Sequence, residues 1–214
     1  MNRMEALCGL GCKAAVVTAL SLWSAASAAQ LLGGITQPIA LPTATSSTPG
    51  GQAAAVRSTV LGQTTSLADT GTLGGVDDAR NASQLSGALP GLLAAEVLQA
   101  TTIGWTDQAA SDASLANLGM MVAGIGISAD FVMASATALA GAVGSGGSLV
   151  ENLAVNGVPV AVSGAANQVV DIVGGRIVIN EQQASAGGMV VNALHVIVDG
   201  VADVVVGSAS ASIR

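Results

Sequence analysis

Runs of β-branched residues at the C-terminal end of the chain limit the possible folds more than any other feature. Within residues 174–214, valine and isoleucine are concentrated in three segments, 176–182, 189–198 and 201–213. Such segments favour β-strands, because branched side chains pack well on a pleated surface. Asp199 and Gly200 separate the last two segments, and Asp-Gly is typical of a two-residue hairpin loop. This end of the chain is therefore predicted to form antiparallel strands.

The central part of the chain carries the same β signal. Ile125–Leu139 alternates between apolar and other residues and is followed by a flexible, glycine-rich loop at 141–148. Asn156-Gly157 favours positive φ at both positions and predicts a tight hairpin. Further strands are expected at 53–61, 149–155, 158–162 and 169–173. Residues 90–100 also fit one or two helical turns, because periodicity cannot decide such a short run.

Small side chains limit how these strands can pack. The 214-residue chain contains 28 glycines and no tyrosine, and aromatic residues make up only 1% of it. Each small residue buries little apolar area, so a core built from them requires sheets that approach closely. We predict an all-β fold, an antiparallel β-sandwich with long strands and an extended N-terminal leader. A β-solenoid is the alternative, which small side chains favour and hairpin turns disfavour.

The N-terminal residues have the pattern of a secretory signal peptide. Arg3 and Lys13 are positively charged, residues 14–26 are apolar, and small residues precede a cleavage point after Ala29. A transmembrane helix would need roughly 20 apolar residues, and the run at 14–26 is shorter than that, so a signal peptide is favoured over a transmembrane anchor. The predicted organisation is a signal peptide at 1–29, a Pro/Thr/Ser-rich linker at 30–52 and a single β-rich domain at 53–214. Such a protein is expected in the periplasm or outside the cell, where it could remain associated with the surface.

The charged residues argue against two classes of partner. After position 29 there is no lysine, and arginine occurs only at positions 57, 80, 176 and 214. So few cations cannot form the basic patch that nucleic-acid binding requires or the cluster that attracts an anionic membrane. The net charge of −7 favours solubility of a chain that is 51% apolar. We therefore expect no nucleic-acid partner and no transmembrane anchor.

Few residues after position 29 could support catalysis or metal binding. Cys8 and Cys12 fall within the predicted signal peptide, and His195 is the only histidine. Thiol and lysine chemistry are thereby excluded, and a zinc site would need one histidine plus carboxylates, which is rare. The chain contains no Gly-x-Ser-x-Gly motif and no glycine-rich phosphate-binding motif. We expect no cofactor, no metal and no catalytic residue.

Strand register bears on the role of His195. If Asp199 and Gly200 form a two-residue loop, the flanking strands pair so that Asp203 lies opposite Val196. Because neighbouring residues on a strand point to opposite faces, His195 and Asp203 would then lie on opposite sides of the sheet. The two side chains are therefore predicted not to form a catalytic pair, and His195 is interpreted as a fold-defining residue.

Polar residues near His195 form the main candidate site. Asn180, Glu181 and Gln182 follow an apolar strand and are expected to supply hydrogen-bond partners for the histidine at one end of the sheet. The candidate cluster, which could mediate an interaction or define the fold, comprises Asn180, Glu181, Gln182, Asn192 and His195. Trp105 is a possible platform for a ligand such as a carbohydrate, since an aromatic ring offers a large contact surface.

An acidic residue recurs in three similar segments, 95–102, 129–136 and 202–209, at spacings of 34 and 73 residues. A solenoid would repeat at a fixed period, so three similar strands of one sheet system explain the pattern better. Each acid is expected at a solvent-exposed rim. Asp77 and Asp78 lie in a loop-like region at 69–86 and are expected to form a solvated turn. Calcium ligation is the alternative there, although it requires about six to eight oxygens.

Four motifs occur in order in the C-terminal half of the chain. They are Asn156-Gly157-Val158-Pro159-Val160, Ile179-Asn180-Glu181-Gln182, Val191-Asn192-Ala193-Leu194-His195-Val196 and Ala202-Asp203-Val204-Val205-Val206. This series resembles the bacterial choice-of-anchor P family over residues 149–213, and more loosely back to residue 53. The resemblance implies an exported protein whose domain is attached to the surface by C-terminal signals that differ between members. It implies no catalytic activity, and no such signal is recognisable after the last predicted strand.

These features favour a secreted, non-enzymatic structural or surface-interaction protein of the bacterial envelope or extracellular matrix. Its exposed sheet surfaces or edges would act by self-association or by adding strands to other envelope or matrix components. A carbohydrate or surface-polymer binding module that uses Trp105 is the first alternative. A hydrolase that uses His195 is the second.

Overall fold

A computed structural model describes residues 47–214, which contain β-strands and no helix. The strands are β1 (Pro49–Val60), β2 (Gln63–Asp69), β3 (Asp78–Leu89), β4 (Leu93–Gly104), β5 (Gln108–Val122), β6 (Ile125–Leu139), β7 (Ser145–Glu151), β8 (Ala154–Val155), β9 (Val158–Pro159), β10 (Gln168–Ile172), β11 (Gly175–Ser185), β12 (Gly188–Val198) and β13 (Ala202–Ile213). The all-β prediction is confirmed. The predicted signal peptide and most of the predicted linker lie outside the described residues.

The strands form two antiparallel sheets. One sheet has six strands in the order β10-β11-β12-β13-β1-β2, and the other has seven, with β3-β4-β5-β6-β8-β9 in a row. β7 pairs with β6 beside β8, so that one edge of the second sheet is built from two short segments. β12, β13 and β1 of the first sheet pack on β4, β5 and β6 of the second. The predicted sandwich is confirmed, and the solenoid alternative is wrong because strands that follow each other in sequence pair antiparallel.

Aliphatic and small residues fill the space between the sheets. The largest buried side chains include Leu98, Leu115, Ile127, Leu153, Ile177, Ile179 and Leu194. At one end, the core narrows to Ala53, Ala100 and Ala113. Here the Ser111 hydroxyl reaches across to the other sheet and donates to the backbone oxygen of Ser210 at 2.7 Å. The small residues therefore allow the close approach of the sheets that the composition predicts.

A transverse line of left-handed residues crosses the six-stranded sheet. Asn180, Gly207 and Ala68 have φ values of 52°, 66° and 45° and occupy the same level of three strands, as the flanking residue pairs show. Side-chain alternation changes phase at this line. On β13, Val206 is buried before the line and Ala209 is buried beyond it. A strict two-residue period therefore cannot assign inner and outer faces along the whole strand.

The seven-stranded sheet has a similar line. Val97, Asn117 and Asn152 have φ values of 50°, 49° and 52°, and the register between β4 and β5 shifts at this level. On β5 the buried positions change from Leu115 to Leu118, again by an odd number of residues. Asparagine enters the left-handed region more readily than most residues, which explains its recurrence on both lines. The phase change sets which polar side chains reach the outer faces.

Strand boundaries were predicted well where the strands are apolar and less well elsewhere. Ile125–Leu139 is β6, and the tight hairpin at Asn156-Gly157 has φ values of 51° and 76°. Residues 90–100 are mostly strand rather than helical turns, and β7 begins inside the predicted loop at 141–148. Half of the predicted loop at 69–86 is β3, and eight of the 12 residues of this strand are exposed. Because only Gly87 is buried, the strand lacks the alternation by which strands are recognised.

Candidate functional site

The β12–β13 hairpin determines the surroundings of His195. Val198 pairs with Ala202, so the connecting loop has three residues, 199–201, instead of two. A shift of one residue in register moves every side chain of a strand to the other face. The prediction that His195 and Asp203 lie on opposite sides of the sheet is therefore wrong. Both side chains lie on the outer face of the six-stranded sheet and contact each other.

His195 bridges two carboxylates. Its Nδ1 lies 2.9 Å from Oε2 of Glu181 on β11, and its Nε2 lies 3.0 Å from Oδ1 of Asp203 on β13. Asn192, on the same strand as the histidine, donates to Oε2 of Glu181 at 2.6 Å. The side chains of His195 and Glu181 are 15% and 20% exposed, whereas that of Asp203 is 56% exposed. We call these four residues the His195 cluster.

The His195 cluster links three adjacent strands. A carboxylate can only accept a hydrogen bond, so both contacts of the ring are satisfied when Nδ1 and Nε2 each carry a proton. In that form the imidazolium lies between two negative charges, and charge-assisted hydrogen bonds of this kind are stronger than neutral ones. The arrangement therefore holds β11 and β13 to the strand between them on the outer face.

The geometry of the cluster does not resemble a nucleophilic triad. In such a triad one ring nitrogen faces a carboxylate and the other faces a hydroxyl or thiol. Here carboxylates occupy both nitrogens of His195, and no serine or threonine hydroxyl of residues 47–214 hydrogen-bonds to the ring. The two carboxylates lie on opposite sides of the ring, so they cannot share one ion with it. The described residues contain no group of three or more His, Cys, Asp or Glu that could hold a metal.

Asn180 and Gln182 do not belong to the His195 cluster, although the sequence placed them together. The Asn180 side chain is buried and donates to the backbone oxygen of Gly164 at 3.1 Å. Gln182 Nε2 donates to Oδ1 of Asn180 at 2.9 Å, and the Gln182 backbone N–H donates to Oδ1 of Asn167. Of the three consecutive residues only Glu181 faces the histidine. The Asn180 side chain and the Gln182 backbone N–H instead hold the loop between β9 and β10.

Trp105 lies in the turn between β4 and β5 and is 41% exposed. Phe131 is the only other aromatic residue in the described part of the chain. Leu139 lies at the end of β6 near the Trp105 turn, and Phe131 lies eight residues away from it along the same strand. At the rise of a strand this separation is about 26 Å. An apolar hollow of about 760 Å³, lined by Leu89, Pro90 and Met121 among others, contains no aromatic side chain. Within residues 47–214, no aromatic platform for a ligand is formed by more than one ring.

The three recurrent acids all lie on outer faces, as expected, but they occur in both sheets. Asn117 Nδ2 donates to Glu96 at 2.7 Å, and Asn152 Nδ2 donates to Asp130 at 2.7 Å. The third acid is Asp203 of the His195 cluster. Glu96 and Asp203 therefore have partners on a neighbouring strand, and the partner of Asp130 is Asn152, which follows the neighbouring strand β7.

The pair Asp77 and Asp78 forms a turn. Asp78 accepts hydrogen bonds from the backbone N–H of Gly74 at 2.6 Å and from Nε of Arg80 at 2.9 Å. The Gly74 N–H, followed by the Arg80 side chain, holds the pKa of Asp78 below its usual value. These partners are donors, whereas a calcium site would gather oxygen ligands. The contacts fit the predicted solvated turn.

Sequence reasoning did not predict the open edge that β3 provides. β3 pairs only with β4, and beyond that hairpin no backbone group of the described residues hydrogen-bonds to it. Ser83, Gln84, Leu85 and Ser86 are all exposed, so both faces of the strand are open there. Leu85 is 84% exposed and lies at the level of Val97, which is 56% exposed. The sequence signal that could have indicated this open edge is the run at 81–89, which contains no charged residue and no proline.

The other edges are shorter or covered. β10 has five residues, β2 has seven, and β9 has two, one of which is Pro159. On the β7 side, Val143 forms a bridge with Ala186 of the other sheet, so that this side of the sandwich is partly closed. β3, with 12 residues, is therefore the longest edge strand among residues 47–214.

Comparison with protein-family models, with curated proteins and with solved structures finds no match for this chain. The resemblance to the choice-of-anchor P family thus stays a prediction. None of the described residues belongs to a helix that is long and apolar enough to cross a membrane.

Asp112 and Asp69 should respond to acid in opposite directions. Asp112 lies between Thr101 and Ser135 on the outer face of the seven-stranded sheet, and burial raises the pKa of its carboxyl above 3.8. Its charged form therefore costs stability at neutral pH, and this cost disappears as the pH falls through the raised pKa to 3.8. Asp112→Asn should increase the free energy of unfolding at pH 7, with no gain below pH 3.8.

Asp69 is the matched comparison. Burial raises its pKa, but hydrogen bonds from Gln52 and from the Gly71 N–H, with the charge of Arg57, outweigh burial and lower the pKa below 3.8. This carboxylate therefore stabilises the fold above pH 3.8, and the contribution is lost as the pH falls through the lowered pKa. Asp69→Asn should reduce stability at pH 7. Urea unfolding of both variants at pH 7 and pH 3 would measure this, and shifts of the same sign at pH 7 would contradict it.

Proposed function

We propose that this chain is a secreted, non-enzymatic structural or surface-interaction protein of the bacterial envelope or matrix, which acts by main-chain pairing at the β3 edge. The observation that supports the proposal is the 12-residue length of this edge strand together with its exposed faces. Unpaired N–H and C=O groups on an edge strand are a template for another strand. In strand addition, main-chain hydrogen bonds supply the affinity and side chains supply the selectivity.

The composition of β3 supports the same proposal. Proteins usually protect edge strands with lysine, proline, inward-pointing charges or bulges. Residues 81–89 contain no charged residue and no proline. The only charges on the strand, Asp78 and Arg80, pair with each other at one end at 2.9 Å. The remaining edge is uncharged and mixes polar with small and apolar residues, which suits contact with another strand.

The alternatives have less support. A hydrolase that uses His195 would need a free ring nitrogen beside a nucleophile, and carboxylates contact both nitrogens. A carbohydrate-binding module would have to rely on Trp105 alone. The His195 cluster instead suits a structural role, because its hydrogen bonds join neighbouring strands in the sheet opposite β3.

A charge placed on the β3 edge should release the protein from assembled material. Leu85→Lys introduces a cation at the exposed edge, where a paired strand would bury it. Val158→Lys is the matched control, because Val158 is also exposed, at 65%, but lies on the two-residue strand β9. In fractions of the producing cells, the wild type and Val158→Lys should remain in envelope or matrix material that only denaturant dissolves. Leu85→Lys should appear in the soluble fraction; equal distribution of all three proteins would refute the proposal.

Export is part of the same proposal, because residues 1–29 have the pattern of a signal peptide. N-terminal sequencing of the protein recovered outside the cytoplasm should give Gln30 as the first residue. Recovery of a chain that still begins at Met1 would contradict export by this route.

A further inference from the structure

We infer that the partner of the β3 edge is a second copy of this chain, paired antiparallel through β3 about a two-fold axis. This inference rests on the proposed function and names the partner that it leaves open. A two-fold interface uses the same patch on both copies, so the patch must be complementary to itself. An antiparallel edge meets this requirement, because its alternating N–H and C=O groups match those of an identical strand turned through 180°.

Charge favours a meeting of two copies at this edge. The chain carries a net charge of −7, so two copies repel each other over most approaches. At β3 the opposing charges of Asp78 and Arg80 neutralise one another, and residues 81–89 are uncharged. Among the other edge strands, β7 carries Glu151, β10 carries Asp171, and β2 carries Asp69, which pairs with Arg57 at 3.6 Å. β9 carries no acid but has only two residues, one of them Pro159. β3 therefore offers the longest uncharged stretch at which like-charged copies can approach.

The exposed residues show where the pairing is centred. Ser83, Gln84, Leu85 and Ser86 are open on both faces. Opposed residues of an antiparallel pair share a face, so the two-fold axis must set one residue against its own copy. An axis at Leu85 places the two leucines opposite each other. The apolar surface of Leu85 and the neighbouring Val97 is then partly covered. The two seven-stranded sheets become one continuous sheet across the dimer, and both β3 strands gain hydrogen bonds on their open side.

The symmetry makes the pairing sensitive to charge at one position. Each substitution at Leu85 occurs twice in the dimer, close to the axis, and like charges on directly opposed or diagonal positions of paired strands are destabilising. Leu85→Lys should therefore weaken dimerisation by about tenfold or more. Val158→Lys adds the same charge away from the axis and should leave the dissociation constant within about twofold.

Sedimentation velocity of the purified chain over a range of concentrations tests the inference, with hydrogen exchange as the second readout. The wild type and Val158→Lys should dimerise, and amides of residues 81–89 should become protected as concentration rises. Leu85→Lys should need a concentration about tenfold or more higher to dimerise, with an unchanged circular dichroism spectrum. A dimer without concentration-dependent protection at 81–89, or one that Leu85→Lys leaves intact, would overturn the inference.

Failure of the inference and failure of the proposed function give different results. A wild type that stays monomeric at every concentration, although Leu85→Lys still leaves the assembled fraction of the cells, would refute the second copy and retain strand addition to another protein. A β3 dimer whose disruption leaves the distribution in cell fractions unchanged would support the pairing and refute the proposed function.

Discussion

Gly207→Val should lower the free energy of unfolding by about 3 kcal/mol or more, from a backbone cost of about 1–2 kcal/mol and an overpacking cost of about 1–3 kcal/mol. Gly207 is buried on the transverse line of the six-stranded sheet and has a φ of 66°. A Cβ at this position would lie 3.1 Å from Cβ of Ala193 and 3.3 Å from Cγ1 of Val132, in the facing sheet. The two further methyl groups of valine have no space between the sheets.

Gly200→Val separates the two costs. Gly200 has a similar φ of 71°, but a Cβ there would meet no atom within 4 Å. This variant should lose only the backbone cost of about 1–2 kcal/mol. Equilibrium unfolding in urea, with the slope compared between variants, measures both. Equal losses in the two variants would mean that packing at the transverse line contributes nothing.

The transverse lines also explain how far the sequence predicts this fold. β6 could be predicted to the residue, because buried apolar positions recur along its whole length, although they change phase between Ala129 and Val132. The positions of β12 and β13 could be predicted from the sequence, but not which of their residues face the core. The alternation of buried and exposed residues changes phase next to Leu194 on β12 and next to Val206 on β13, and a run of valines and alanines does not mark these points.

The His195 cluster shows how one residue of loop length changes a functional interpretation. Asp199-Gly200 is a good two-residue turn, and the register drawn from it placed Asp203 on the wrong face. The actual loop also includes Val201, whose N–H donates to the backbone oxygen of Val198 at 3.0 Å. Ala202, Val204 and Val206 are buried, and they can be buried together only in the register with a three-residue loop. The free energy of burying these side chains outweighs the local preference of Asp-Gly for a two-residue turn. His195 and Glu181 lie 2.9 Å apart on adjacent strands, whereas Asp203 joins them only in the actual register.

β3 escaped prediction for the opposite reason. A strand is visible in sequence when it buries one face, and a strand with two exposed faces resembles a loop. Its partner β4 supplies the hydrogen bonds that hold it extended, from Asp78 opposite Gly104 to Leu89 opposite Leu93. The surface to which we assign the function is thus specified by residues outside it.

His195→Leu should lower the free energy of unfolding by about 1–3 kcal/mol, since the change leaves partly buried groups without their hydrogen-bond partner. Glu181 would retain only the bond from Asn192, and Asp203 would lose its hydrogen bond to the ring. Leucine fills a similar volume, so the loss would report the lost hydrogen bonds more than a cavity. Urea unfolding at neutral pH measures the change.

The contribution of His195 to stability can be separated into its contact with Glu181 and its contact with Asp203. Glu181 is 20% exposed and Asp203 is 56% exposed, so water replaces the lost partner more readily at Asp203. In double-mutant cycles with His195→Leu, the coupling energy should be larger with Glu181→Gln than with Asp203→Asn. Equal couplings would contradict the burial argument. A His195→Leu variant of unchanged stability that loses a hydrolytic activity of the wild type would show instead that His195 is catalytic, because a cross-link between strands cannot be removed without loss of stability.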